Sequence, residues 1–153
     1  MRSPSKTDRA GRSPVSMSAV AKARATGRWA EIMFRALSAR VARRWRFVSF
    51  RGASEGEWRG VVDIVAIRKN TSRPLNTKLR PGDLFDIVLV QVKGGGARGP
   101  SQDDCRRLRE LGRIYRAKRV VQFHWRKGVW ARFSVLDQRT LRWLPATSVE
   151  IFG

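Results

Sequence analysis

Val61-Val62-Asp63-Ile64-Val65-Ala66-Ile67 and Phe85-Asp86-Ile87-Val88-Leu89-Val90-Gln91-Val92-Lys93-Gly94 are two apolar runs interrupted or closed by polar groups, and their reading decides the fold. Both are rich in β-branched residues and have strand length. The second is apolar on both faces, which predicts a central strand of a sheet covered on both sides. Alternation with period two puts Phe85, Ile87, Leu89, Gln91 and Lys93 on one face and Asp86, Val88, Val90 and Val92 on the other. Gln91 and Lys93 therefore point the same way, and with Asp63 on the neighbouring strand they would gather at one sheet edge. Asp86 does not join them.

Working outward, residues 69 to 83, with Pro74, Pro81, Gly82 and several Lys and Arg, form a basic connection longer than a tight hairpin. Upstream, residues 45 to 50 alternate and read as a first strand. About residues 20 to 43 read as a helix, with Trp29, Met33, Leu37 and Val41 at helical spacing beside Ala30 and Phe34. Residues 1 to 22 are Ser-, Arg-, Ala- and Lys-rich with Asp8 as the only acid. They are expected to be a disordered basic arm, ahead of one domain over 23 to 153. Downstream, a Gly-rich link leads to Ser101, a good N-cap, with Asp103 and Asp104 in the first turn and Cys105, Leu108, Leu111 and Tyr115 as the apolar face. Residues 120 to 125 then make a strand parallel to its predecessor, residues 130 to 136 an antiparallel one, and 141 to 152 a short closing segment. The expected order is α-β-β-β-α-β-β.

The chain carries 33 Lys and Arg against 12 Asp and Glu in 153 residues, a formal net charge of +21. That excess points to a polyanion, and nucleic acid suits it better than a membrane because no long uncharged apolar segment is present. A single Cys excludes an internal disulfide, and Cys105 reads as a core thiol. With His124 as the only His, zinc-finger ligation and His-based triads have no raw material.

Phosphodiester hydrolysis needs a Lewis acid on a non-bridging oxygen, an in-line water and positive charge near the reacting oxygens. Asp63 can bind Mg²⁺, or Mn²⁺ in its place. Gln91 can offer a neutral oxygen and Val92 its carbonyl. Lys93 can orient the water, and Glu31 from the first helix can complete the set.

These residues resemble the PD-(D/E)XK nuclease superfamily: Glu31 in the first helix, Gly60-x-x-Asp63-Ile64-Val65-Ala66, and Gln91-x-Lys93-Gly94 followed by a helix. The resemblance covers about residues 24 to 136. The stretch from 50 to 67 is similar to Holliday-junction resolvases, and that from 93 to 112 to virus-type replication-repair nuclease domains. It implies an α/β fold with a restriction-endonuclease-like αβββαβ core, a mixed central sheet flanked by helices. It also implies Mg²⁺-dependent cleavage of DNA, including branched or replication and repair intermediates, with Asp63 and Gln91 holding metal, Lys93 catalytic and Glu31 auxiliary. Two departures stand out. Gln91 takes the place of a carboxylate and removes one negative charge from the metal site, and the wide spacing from Asp63 to Gln91 requires the 69 to 83 insertion.

The alternative is a catalytically inactive nucleic-acid-binding module on the same fold. Arg28, Arg51, Arg59, Lys69, Arg98 and Arg106 are the expected phosphate contacts. Ser54 and Gln102 are weaker candidates, better read as a loop residue and a helix-start residue. The Trp residues interleaved with Arg suggest base stacking, with Trp45 and Trp125 read as core. A junction cutter makes two symmetric nicks, which a homodimer would supply. The expected setting is cytoplasmic, on nucleic acid, although the Arg-rich N-terminus also suits organellar targeting.

Overall fold

The runs around Asp63 and Gln91 do form neighbouring strands. The computed structural model describes residues 14–50 and 60–153. Their order is α1 (Pro14–Ser38), β1 (Arg46–Ser49), β2 (Ile64–Lys69), β3 (Phe85–Gly94), α2 (Gln102–Ile114), β4 (Arg119–Arg126), β5 (Trp130–Leu136), β6 (Trp143–Ala146) and α3 (Ser148–Phe152). The six strands make one mixed sheet in sequential order, β1 to β6. Neighbours are antiparallel except β3 and β4, which are parallel because α2 carries the chain back between them.

β3 packs on both faces, as its sequence requires. Val88, Val90 and Val92, with Val121 and Phe123 of β4, belong to the core that α1 closes with Ala30 and Phe34. Phe34 meets Phe47, Phe123 and Phe152 edge-on, with ring centroids 5.2, 5.6 and 6.0 Å apart, a favoured aromatic geometry. On the other face Leu89, Val120 and Leu136 pack with Val61 and with Cys105 and Leu108 of α2. Ser101 starts α2 through a capping box: its hydroxyl accepts the Asp104 N–H at 3.1 Å, and the Asp104 carboxylate accepts the Ser101 N–H at 3.1 Å. α3 sends Ile151 and Phe152 into the α1-side core, and the Trp45 indole N–H donates to the Phe152 carbonyl at 2.9 Å. At the carboxyl end of β3, α1 comes so close that a Cβ on Gly94 would stand 2.8 Å from the Thr26 carbonyl oxygen.

Several expectations are corrected. α1 begins at Pro14, so the basic arm expected over 1 to 22 is helical from that point; residues 1–13 lie outside the described residues. Propensity explains this, since proline suits a first helical turn and alanines dominate the stretch that follows. α1 also stops at Ser38 rather than near residue 43, and the chain turns to bring Trp45 into the core. Its buried face is Ala30, Glu31, Phe34 and Ser38, whereas Trp29 and Leu37 are exposed, so the helix turns a different face to the sheet from the one its largest apolar residues suggest. Tyr115 is the exposed C-cap of α2 and not part of its buried face. The closing segment resolves into β6 and α3.

Candidate active site

Asp63 does not lie inside a regular strand. Ile64 is in register with Val90, yet the Asp63 N–H also donates to the Val90 carbonyl at 2.9 Å, so two residues meet one in a β-bulge. The bulge ends the ladder and re-aims the Asp63 side chain. Its Oδ2 accepts the Val92 N–H at 2.7 Å, a position that a main-chain carbonyl of β2 would otherwise fill. Because the Val90 carbonyl and the Val92 N–H both face β2, alternation turns the Val92 carbonyl to that side too.

Gln91 lies on the α2-side face and is only 3% exposed, and its Oε1 has no hydrogen-bond partner among the described residues. An unpaired buried acceptor costs about 1–3 kcal/mol, so this amide oxygen is available to a donor or a cation. Directly across the parallel ladder stands Gln122, also buried, with Nε2 unpartnered among the described residues. The next row on the same face pairs Lys93 with His124. Lys93 is half-buried and close enough to Asp104 to help lower its pKa. The Asp104 carboxyl is held below the usual range chiefly by the Ser101 N–H and hydroxyl, and by Arg107 and Lys93 to a lesser degree.

Glu31 reaches the same end of the sheet from the α1 side. It is buried, and its Oε2 accepts the Ser49 hydroxyl at 3.0 Å, Ser49 being the register partner of Ile64. Asp63, Gln91, Val92 and Lys93 thus share the carboxyl end of β3, the end where open α/β sheets bind ligands, while Glu31 lies over β1 on the opposite, α1-side face. As a donor set, a carboxylate that already accepts a main-chain N–H, an unpartnered amide oxygen and a main-chain carbonyl fit a hard divalent cation. Among the described residues no group of three or more His, Cys, Asp or Glu side chains could hold a metal ion. The site therefore depends on neutral oxygens.

The expected phosphate contacts divide. Arg98, in the link after β3, and Arg28 on α1 are exposed. Arg106 is exposed on α2 and pairs with Asp103 at 3.2 Å. Lys69 is corrected: it is paired with Phe85 at the opposite end of β2, about 20 Å along the strand from Asp63. Arg51, Arg59 and Ser54 lie outside the described residues. At the Lys69 end, Asp86 forms an ion pair with Arg68 at 2.9 Å, accepts from Asn70 at 2.9 Å and has Lys118 at 3.7 Å. It is structural.

Gln122, Ser49 and His124 were not singled out by the sequence. Their placement depends on strand register, set for Gln122 and His124 against β3 by the α2 crossover and for Ser49 by the β1–β2 pairing.

The chain matches no protein-family model, no curated protein and no solved structure. Among the described residues no helix is long and apolar enough to cross a membrane.

Proposed function

We propose that the chain is a Mg²⁺-dependent DNA endonuclease built on a PD-(D/E)XK-like core. The observation that carries this reading is the grouping of Asp63, Gln91 and Lys93 at the carboxyl end of β3, with the Asp63 carboxylate held on the Val92 N–H at 2.7 Å. The order α1-β1-β2-β3-α2-β4, with a three-stranded antiparallel meander followed by a parallel strand, supports it. So does the net charge of +21.

Asp63, Gln91 and the Val92 carbonyl would hold the cation. Bound there, Mg²⁺ supplies Lewis acidity to a phosphate oxygen. Lys93 orients the attacking water and stabilises developing negative charge. Glu31, fixed by Ser49, adds a second carboxylate from the α1 side. The Val92 N–H keeps the Asp63 carboxylate in one orientation, so little reorganisation is needed during reaction. Two copies would supply the paired nicks that resolve a junction.

A non-catalytic DNA-binding module is the second reading, favoured by Gln91 standing where a carboxylate would bind the cation more strongly. Incubating purified protein with labelled four-way junction, flap and linear duplex DNA in Mg²⁺, Mn²⁺ or EDTA separates the two. Metal-dependent products support the endonuclease. Salt-sensitive binding with no product in any metal supports the module.

A further inference from the structure

The β4–β5 hairpin projects an aromatic and basic wall beside the site just described. On the α2-side face its register pairs are Gln122 with Ser134, His124 with Arg132, and Arg126 with Trp130. Cys105, Leu108 and Leu111 of α2 cover the lower, apolar rows of that face, where Leu89, Val120 and Leu136 lie. The upper rows carry polar and aromatic groups in place of core residues.

Trp130 differs from Trp45, Trp125 and Trp143; Trp29, exposed on α1, also lies outside both apolar clusters. Trp45 is buried beneath Arg68, Trp125 packs against the α1-side core and Trp143 against the α2-side core. Trp130 belongs to neither apolar cluster. The His124 ring meets it edge-on with centroids 4.6 Å apart, and the Arg132 guanidinium carbon lies 4.6 Å from its ring centroid. Arg132, Arg126 and Lys127 are exposed, as is Arg98 in the neighbouring link, and none of the four has a carboxylate partner among the described residues. An aromatic ring set against a perpendicular imidazole and a planar cation, among positive charges with no carboxylate partner among the described residues, is the chemistry that stacks a nucleobase and holds its flanking phosphates.

The wall is tied to the site. His124 Nε2 stands 3.1 Å from the Gly95 carbonyl, and the Gly95 N–H donates to the Trp125 carbonyl at 2.8 Å. The link that follows Lys93 is thereby fastened to β4. Lys93, His124 and Arg132 occupy one row across three adjacent strands, so Arg132 lies about 10 Å from Lys93.

We infer that the Trp130–Arg132 stack is a docking site for an unpaired nucleotide of a DNA strand, beside the phosphodiester that Lys93 would face. The inference rests on the nuclease reading for the kind of polymer and deepens it. Bases inside a duplex are already stacked and offer no free face to this platform, so the substrate class is DNA with unpaired nucleotides, such as flaps and open junctions.

The test is binding in EDTA, where cleavage plays no part. Fluorescence anisotropy would compare a labelled single-stranded DNA, the same sequence as RNA, and the same sequence as duplex DNA, for the wild type, Trp130→Ala, Trp130→Phe and Arg132→Gln. Trp130→Ala should weaken binding of the single strand by roughly tenfold or more, with duplex binding changed much less. Trp130→Phe should keep most of the affinity, and Arg132→Gln should weaken the single strand more than the duplex. Equal losses on single strand and duplex, or no loss on either, would overturn the inference, and so would tighter binding of the RNA. A protein that shows the single-strand effect but never cuts would keep this inference and lose the catalytic one.

Discussion

The Asp63 carboxylate accepts the main-chain N–H of Val92 at 2.7 Å, across a bulge that joins β2 to the end of β3. One side chain therefore terminates a strand ladder and presents a carboxylate at the candidate cation site. In the proposed nuclease, stability and activity would be coupled at this position, and substitutions can separate them.

Asp63→Asn keeps an oxygen for the Val92 N–H but removes the charge. It should fold with a melting temperature close to the wild type and lose metal-dependent cleavage. Asp63→Ala removes both and should also destabilise the fold by about 1.5–3 kcal/mol, the range for a hydrogen bond to a charged group. Thermal denaturation beside a nicking assay checks both variants; equal stability of the two would contradict the structural role of the carboxylate.

The Gln91 Oε1 is buried and has no hydrogen-bond partner among the described residues, so this oxygen is not expected to stabilise the fold. Gln91→Met, similar in shape and apolar, should leave stability unchanged or raise it by up to about 1 kcal/mol, while abolishing cleavage. Gln91→Glu restores a negative charge and should lower the Mg²⁺ concentration needed for half-maximal cleavage by on the order of tenfold. A Mg²⁺ titration that does not move for Gln91→Glu would remove Gln91 from the cation site.

Gly94 is where α1 and β3 touch. A Cβ there would stand 2.8 Å from the Thr26 carbonyl oxygen and 3.1 Å from its carbonyl carbon, backbone atoms that cannot swing aside. Gly94→Ala should cost about 1–3 kcal/mol, read by chemical denaturation. A stability equal to the wild type would mean that α1 does not pack as described.

The α2 capping box sets a pH dependence. Asp104 has its carboxyl lowered by the Ser101 N–H and hydroxyl. A carboxyl that is more acidic when folded contributes stability above its unfolded pKa, and that contribution is lost as pH falls through the folded value. Ser101→Ala should therefore lower the melting temperature near neutral pH. The gap to the wild type should narrow in acid, below the ordinary Asp range. Melting temperatures of both proteins across an acid titration would show it, and a constant gap would argue against the assignment.

How far the sequence could be read follows from which interactions are local. Alternation located β3 and its two faces, and Ser101 located the start of α2 because a cap and its partner lie within one turn. The parallel direction of β4 followed from the crossover. The phase of α1 was hidden: Trp29 and Leu37 look like core residues at helical spacing, but the sheet accepts Ala30, Phe34 and Ser38. The Asp63 bulge depends on the N–H of Val92, 29 positions away, and no local pattern announces it. Gln122 opposite Gln91 depends on a register fixed only when α2 carries the chain back, and Trp130 beside His124 on the register set by the β4–β5 turn. Lys69 closes β2 at the end opposite Asp63, as the six positions between them along one strand already require.

The most direct measurement is single-turnover cleavage of flap and four-way junction DNA by the wild type and by Lys93→Ala, each with Mg²⁺ and with EDTA, at protein concentrations that saturate DNA binding. The account predicts products for the wild type in Mg²⁺ alone and a rate lower by at least about a hundredfold for Lys93→Ala, with DNA binding largely kept. Equal rates for the two proteins, or no product from the wild type in the presence of metal, would contradict it.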